Sequence, residues 1–325
     1  MHEPESPVGK AQQSDAGAGV DRMVSIVTVT YNPDIAVLAR QLAQMPPDTL
    51  KILVDNASSP GLAAEIRRLA TQPNTHLIEN PRNLGLAAAL NQGASAAKVQ
   101  APGLSLLLFL DQDTEPGEHG VERLVETYLC LSKTHPKLGC IGPKMVDHST
   151  GLQHGFHQIA GWRWVRRYPQ SGEPCPVSNI NGSGMLVSRR VFEHVGGFRE
   201  SFFIDHVDTD FSFRVLASGS ELFGVPDIEF IHRMGESTIC FWFFGWKAWP
   251  YRSAARHYFL FRNTTTLMRM ASVPLVWKVW APVKLLLTLG VHLAFDGQRF
   301  QQARQMLRGL LSGLSTEKNA VSNGR

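Results

Sequence analysis

Short aliphatic or β-branched runs recur along this chain, each closed by polar residues. Between them lie longer stretches with apolar residues at helical spacing. Val24 to Thr30 is the first run, and Tyr31-Asn32-Pro33 ends it, because proline cannot continue a ladder. Ile35 to Met45 then carries helical spacing. Lys51 to Val54 reads as a second strand, closed by Asp55-Asn56-Ala57-Ser58, and Leu62 to Ala70 as a second helix. His76 to Ile78, the helical Leu84 to Ala97 with its turn at Gly85, and the five apolar residues Leu106 to Leu110 continue the series. Val121 to Lys133 reads as a helix, Gly139 to Ile141 and Gly184 to Val187 as strands, and Arg189 to Val195 as a short helix. Strands alternating with helices predict βαβ units, hence an α/β fold with a mostly parallel sheet. Between Asp147 and Val177 the periodicity is lost, and Gly, His, Trp and Pro accumulate.

The two ends differ from this middle. Residues 1–22 are rich in Gly, Ala, Ser and Gln without an apolar stretch, and read as a disordered tail rather than a signal peptide. That reading keeps the folded part in the cytoplasm. From Phe241 the chain becomes densely aromatic. Val273 to Phe295 then approaches membrane thickness, but Lys278 and Lys284 interrupt it. Two lysines near the centre make a span costly. An interfacial segment, or a helix packed on the rest of the chain, are the two readings that remain.

Composition narrows the function classes. A net charge of +4 on 325 residues is too small to argue nucleic-acid binding. Cys130, Cys140, Cys175 and Cys240 are scattered without zinc-type spacing, which reads as free thiols.

The chemistry gathers at strand ends, which in a parallel sheet share one edge, where open α/β sheets bind ligands. Thr30-Tyr31-Asn32, Asp55-Asn56, Asn83 with Gly85, and Asp111-Gln112-Asp113 follow four successive strands. One such turn is unremarkable, whereas four in succession predict a nucleotide pocket. Asp111 and Asp113 would repel a bare phosphate, so a divalent cation such as Mg²⁺ is their natural partner. A second acidic cluster holds Asp205, Asp208 and Asp210. Asp208 at a helix start suits either a general base or a helix cap. His232, after the strand-like Glu229 to Ile231, is a candidate ligand for an ion such as Mn²⁺.

These segments resemble the inverting glycosyltransferases of family 2, which have the GT-A fold. The resemblance runs from Val24 to Asn263. It is carried by Val54-Asp55-Asn56-Ala57-Ser58, Asn83-Leu84-Gly85, Leu110-Asp111-Gln112-Asp113, Asn181-Gly182-Ser183-Gly184, Ile204-Asp205-His206-Val207-Asp208, His232-Arg233-Met234-Gly235 and Phe261-Arg262-Asn263. The Asp-Gln-Asp and Ile-Asp-His-Val-Asp forms are most similar to bacterial rhamnosyltransferases that use dTDP-L-rhamnose. The resemblance implies Asp113 as a direct metal ligand, Asp111 beside ribose or metal, and His232 as a further ligand to Mg²⁺ or Mn²⁺. It implies Asp55 at the base, Arg262 and Asn263 near the diphosphate, and Asp208 as catalytic base. Many members carry Glu-Asp where this chain has Val207-Asp208, which leaves Asp205 as a rival base or an orienter of the acceptor. The implied partners are a nucleotide-sugar donor and a saccharide or lipid-linked saccharide acceptor; peripheral membrane contact is a reading of the apolar C-terminal part, and the small net charge argues against nucleic acid. The implied organisation is a catalytic domain over 23–240 and a helical, membrane-proximal region over 241–325. The irregular stretch with His154, His157, Trp162 and Trp164 is the candidate acceptor region. A nucleotidyltransferase is disfavoured, since the first strand is followed by no basic glycine-rich loop. A non-catalytic carbohydrate binder is disfavoured because Asp113, Asp208 and His232 are all present.

Overall fold

The computed structural model describes residues 23–233, 238–242 and 245–315. The predicted tail, the Met234-Gly235 part of the family-like motif and Phe243-Phe244 lie outside the described residues. The chain opens with β1 (Val24–Thr30), α1 (Ile35–Ala43), β2 (Leu50–Asp55), α2 (Pro60–Leu69), β3 (Thr75–Glu79), α3 (Leu86–Gln100) and β4 (Leu106–Asp111). A two-residue strand, β5 (Thr114–Glu115), precedes α4 (Gly120–Thr134) and the long β6 (Leu138–Asp147). These strands form one sheet in which β4, β1, β2 and β3 are parallel neighbours.

Alternation of side chains divides the core into two layers. Leu107 and Phe109 face one layer together with Val27, Val29 and α3, while Leu106, Leu108 and Leu110 face the other with Leu38, Ile66 and Leu124. The predicted strand Leu106 to Leu110 is buried throughout, which explains its unbroken apolar run. The alanine-rich helix α3 lies close over the sheet. A Cβ at its Gly93 would come within 2.3 Å of the Val27 side chain.

Beyond β4 the mostly parallel sheet takes in antiparallel strands. After β6 the irregular stretch contributes β7 (Gln153–His154), β8 (Phe156–Ala160), β9 (Arg163–Arg167) and β10 (Cys175–Pro176). The following strand, β11 (Met185–Ser188), enters the sheet between β4 and β6, antiparallel to both. The direction follows from the path. The chain leaves β6 at the carboxyl edge of the parallel strands, and β11 runs back from there. Next come α5 (Arg189–His194), α6 (Val207–Ala217) and β12 (Glu221–His232), which pairs parallel to β6 and ends at the same edge.

The region expected to be helical from Phe241 opens instead on a β-hairpin, β13 (Thr238–Trp242) with β14 (Trp246–Pro250). Helices begin at α7 (Ala254–Arg269), whose Ser253 caps the Arg256 N–H, and continue as α8 (Leu275–Phe295) and α9 (Arg299–Ser315). Trp277 and Ala281 of α8 belong to the same core layer as Phe109 and Phe213, so this helix packs on the catalytic body along one face. The four cysteines are free thiols, as expected.

Candidate active site

The carboxyl edge gathers residues from strands far apart in sequence. Thr114 pairs with His232 across β5 and β12, and this register brings the imidazole beside the acidic turn. His232 Nδ1 lies 3.3 Å from Asp113 Oδ1. One ligand atom each from Asp111, Asp113 and His232 falls within 4.8 Å of the others. Two carboxylate oxygens and an imidazole nitrogen suit a hard-to-borderline divalent cation, so the residues fit the Mg²⁺ or Mn²⁺ that the motif implies.

Polar contacts hold this turn in place from beneath. Gln41 is fully buried on α1. Its Nε2 donates to the carbonyls of Asp111 at 2.7 Å and Thr114 at 2.6 Å, and its Oε1 accepts from the Thr28 hydroxyl at 3.2 Å. The Asp111 N–H donates to Ser183 Oγ at 2.9 Å. Ser183 Oγ lies 2.6 Å from Thr114 Oγ1, which in turn lies 2.8 Å from His232 Nδ1. Gln41 and Thr114 carry no weight in the sequence reading, and Ser183 enters it only as part of the Asn181-Gly182-Ser183-Gly184 segment, with no role of its own. The available signal was a glutamine on the buried stripe of an amphipathic helix, beside Val37, Leu38 and Leu42.

Asp111 lies deep in the cleft, ringed by protein although one side is open. That burial raises its pKa to about 6, against the pull of the His232 charge and with help from Asp113 and Asp208. Asp208 lines the same cavity as Ser183, whose hydroxyl accepts from the Asp111 N–H, so the second acidic cluster stands beside the first. Asp208 starts α6 and accepts from the Thr209 N–H at 2.7 Å and the Gly182 N–H at 3.2 Å. Burial nevertheless raises its pKa, the two amides opposing the shift.

The rival carboxylate stands differently. Asp205 accepts from Arg256 Nη2 at 2.8 Å and faces Arg252 Nε at 3.7 Å, so two guanidinium groups hold it. Asp210 is buried between Arg199 and Arg214. Phe203, Asp205 and His206 all have positive φ, an uncommon conformation for residues with a Cβ. Asn263 holds this loop: its Nδ2 donates to the carbonyls of Phe202, Ile204 and Asp205 at 2.8–2.9 Å, and the residue is fully buried. Arg262 donates to the Ser201 carbonyl and lies over the Phe259 ring. The resemblance puts both residues near the diphosphate. In the structure the Asn263 amide and Arg262 Nη2 donate to backbone carbonyls of the loop that carries Asp205, and Arg262 Nε donates to Asn263 Oδ1 at 3.0 Å.

The remaining strand-end residues form one connected rim. Thr30 Oγ1 donates to Asp55 Oδ1 at 3.0 Å, and Ser58 binds the same carboxylate. The Tyr31 N–H donates to Gln112 Oε1 at 2.7 Å, joining the ends of β1 and β4. Asn32 has a φ of 48° and exchanges contacts with Ser58 and Ser59. Asn83 Oδ1 accepts from Asn56 and from the Gly85 N–H. Gly85 has a φ of 88°, and a Cβ there would lie 2.5 Å from the Phe203 ring, so glycine is required where the rim meets the strained loop.

A cavity lined by His154, His157, Asn179, Asn181 and Asp208 opens beside the candidate base. Burial and the Arg166 charge lower the pKa of His154 to about 4 and that of His157 to about 3. Arg166 Nε donates to His157 Nε2 at 3.2 Å, which leaves the ring proton of the neutral imidazole on Nδ1. Trp164 stacks on His157 and meets Phe213 edge-on, whereas Trp162 is exposed.

The model of the family described as Glycosyl transferase family 2 matches residues 25–196. The chain belongs to this family. Over 293 residues it is 28% identical to the dTDP-rhamnosyl transferase RfbF of Shigella flexneri, an alignment covering 89% of this chain and 94% of that protein. Over 246 residues it is 28% identical to the N-acetylglucosaminyl-diphospho-decaprenol L-rhamnosyltransferase of Mycobacterium tuberculosis, covering 66% of this chain and 78% of that one. Solved structures share the architecture at low identity. Staphylococcus aureus TarS 1-349 aligns with a TM-score of 0.55 at 13% identity over 90% of this chain and 80% of that one. The mannosyltransferase PcManGT of Pyrobaculum calidifontis, in complex with GDP-Man and Mn²⁺, aligns with a TM-score of 0.52 at 15% identity over 91% and 76%. This family 2 enzyme is therefore a GT-A glycosyltransferase that uses a nucleotide sugar, and the nucleotidyltransferase and non-catalytic readings are not favoured.

Proposed function

We propose that this enzyme transfers L-rhamnose from dTDP-L-rhamnose to a hydroxyl of a saccharide or lipid-linked saccharide acceptor, with inversion at the anomeric carbon. The observation that carries the chemistry is the convergence of Asp111, Asp113 and His232, from two distant strands, beside the cavity that Asp208 and Ser183 line. The donor assignment is supported by the similarity to RfbF, which extends over nearly the whole of both chains.

Asp111, Asp113 and His232 would hold a divalent cation, which when bound would neutralise charge on the diphosphate leaving group. Asp55, held by Thr30 and Ser58 at the end of β2, receives the base of the nucleotide. Tyr31, Asn32 and Gln112 line the path between base and diphosphate, and Asn83 and Gly85 bound the pocket after β3. Asp208 removes the proton from the acceptor hydroxyl, which attacks from the face opposite the nucleotide. Its raised pKa makes it a better proton acceptor than an exposed aspartate, provided the pH keeps it ionised. The acceptor enters from the cavity with His154, His157, Asn179 and Asn181, whose neutral imidazoles and amides suit sugar hydroxyls. Asp205, neutralised by Arg252 and Arg256, orients the loop rather than taking the proton. Arg262 and Asn263 act through that loop. The compartment consistent with this donor is the cytoplasm.

Nucleoside diphosphate release tests the proposal. The protein is incubated with Mn²⁺ and, in separate reactions, with dTDP-L-rhamnose, UDP-GlcNAc and GDP-Man. Release from dTDP-L-rhamnose alone is expected. Preference for either other donor overturns the sugar assignment, and no release from any donor, with or without an acceptor extract, overturns the catalytic reading.

A further inference from the structure

We propose that α8 and α9 form a docking face for an anionic lipid bilayer, lying in the plane of its surface rather than crossing it. Helix α8 is 21 residues long and apolar enough to span. One of its faces is nevertheless committed to protein. Val276, Trp277, Ala281 and Leu285 are buried. The Trp277 ring meets His206 at 5.6 Å and Phe213 at 5.7 Å, and Leu285 joins Leu260 and Met306 in a small core of its own. A helix with one side held against its own domain cannot be surrounded by acyl chains. Lys278 and Lys284 in its middle oppose a span further.

The opposite face is bare. Val283, Leu286 and Leu287 of α8 are 43%, 69% and 55% exposed, and Phe300, Leu307 and Leu311 of α9 are 81%, 57% and 54% exposed. Most of the exposed large hydrophobic side chains among the described residues lie on these two helices. On α9 the apolar positions fall on one stripe, since 300, 307, 311 and 314 are spaced by seven, four and three residues.

Charge selects the occupant. Neither helix contains Asp or Glu, and Arg299, Arg304 and Arg308 are exposed along α9. Asp296, between the helices, is buried against His292 at 2.8 Å and offers no outward negative charge. An apolar stripe bordered by arginines matches the interface of an anionic bilayer. A second copy seated on the same face would bring like charges together.

The location adds a consequence. Trp277 touches His206, in the loop that precedes Asp208, so docking holds the catalytic cleft close above the lipid surface. The acceptor is then a saccharide carried on a membrane lipid. That consequence rests on the glycosyltransferase reading, whereas the docking itself does not.

Co-sedimentation of the full chain with phosphatidylcholine vesicles, with and without phosphatidylglycerol, tests the proposal. Binding is expected to be at least about tenfold stronger with phosphatidylglycerol, and to weaken as salt rises. Leu286→Glu with Leu311→Glu should abolish it, and Arg304→Glu with Arg308→Glu should weaken it roughly tenfold. All four positions are exposed, and nucleoside diphosphate release from the soluble donor in vesicle-free buffer should be unchanged in both variants. No sedimentation with either vesicle overturns the proposal, as does equal binding to both. A dimer by light scattering that the leucine variant dissociates, without vesicle binding, reassigns the face to self-association. Resistance of the bound chain to alkaline carbonate extraction would show a span and overturn the in-plane arrangement. Vesicle binding without donor turnover leaves the docking intact and removes only the catalytic reading.

Discussion

Asn263 Nδ2 donates to the carbonyl of Asp205, its third such contact with the loop of residues 202–205, at 2.8 Å. A side chain 58 residues downstream thereby fixes the strained backbone that leads into Asp208, the proposed base. Replacing Asn263 by Ala removes the amide donor shared by three loop carbonyls; the Phe202 carbonyl keeps the Ile204 N–H, whereas those of Ile204 and Asp205 lose the Asn263 contact. The expected loss of stability is about 1–3 kcal/mol. Turnover should fall because the loop relaxes, while affinity for the free nucleoside diphosphate should stay close to wild type. Thermal unfolding and a nucleotide-binding isotherm on the same variant check this. A large loss of nucleotide affinity without loss of stability would return Asn263 to the diphosphate site.

The two aspartates of the loop should behave differently. Asp208→Asn is expected to retain donor and metal binding and to lose turnover by roughly 10²–10⁴-fold. Asp205→Asn breaks the pairing with Arg252 and Arg256 but leaves the base in place. Its turnover should stay within about tenfold of wild type, with a lower thermal midpoint. Steady-state rates of the pair decide it. An inactive Asp205→Asn beside a fully active Asp208→Asn would exchange their roles.

Gln41 has no contact with substrate in the proposed chemistry, yet it bonds both carbonyls that shape the Asp111–Thr114 turn. Gln41→Leu keeps the volume of the helix face and removes those donors. We expect a stability loss of about 1–3 kcal/mol. We also expect a weaker Mn²⁺ isotherm, since support shells of metal ligands typically matter about 10–100-fold. Unchanged metal affinity in a folded Gln41→Leu variant would show that the turn holds its shape without the glutamine.

These cases mark the limit of what the residue pattern conveys. Strand ends were legible because a βαβ order sends Thr30, Asp55, Asn83 and Asp111 to one edge whatever the details of packing. The placement of His232 beside Asp113 depends on a pairing between β5 and β12, more than a hundred residues apart, which local periodicity does not encode. The antiparallel entry of β11 was missed for a related reason, since its apolar run suits either direction. The irregular stretch hides a tight hairpin. Ala160 pairs with Arg163, and Gly161 with a φ of 58° opens the two-residue turn. Gly161-Trp162 between two short runs was the available signal. For Asn263 no signal existed, because an asparagine that binds a diphosphate and one that binds carbonyls look alike in a string.

The acidic cleft makes the metal-free enzyme respond to pH in an unusual direction. Burial raises Asp111 from 3.8 to about 6. Asp208 is shifted the same way. Between 3.8 and about 6 the folded chain therefore holds more protons at Asp111 than the unfolded chain does, so this group's contribution to stability falls as pH rises through that window. A proton on Asp111 also competes with a cation, so Mn²⁺ affinity should drop as pH falls below about 6. Thermal midpoints of the metal-free protein across this range, in wild type and Asp111→Asn, check the sign. The variant should lose that destabilising slope. An identical pH profile in both proteins would show that Asp111 titrates as an ordinary exposed aspartate.

The central claim is that Asp113 and His232 bind the same cation. Electron paramagnetic resonance of Mn²⁺ in the presence of the nucleoside diphosphate measures this directly, in wild type, Asp113→Asn and His232→Ala. The account predicts a tight Mn²⁺ site in wild type that both variants weaken, with turnover lower by roughly 10²–10⁴-fold in Asp113→Asn. Unaltered Mn²⁺ affinity in His232→Ala, with a folded protein and normal turnover, would contradict it.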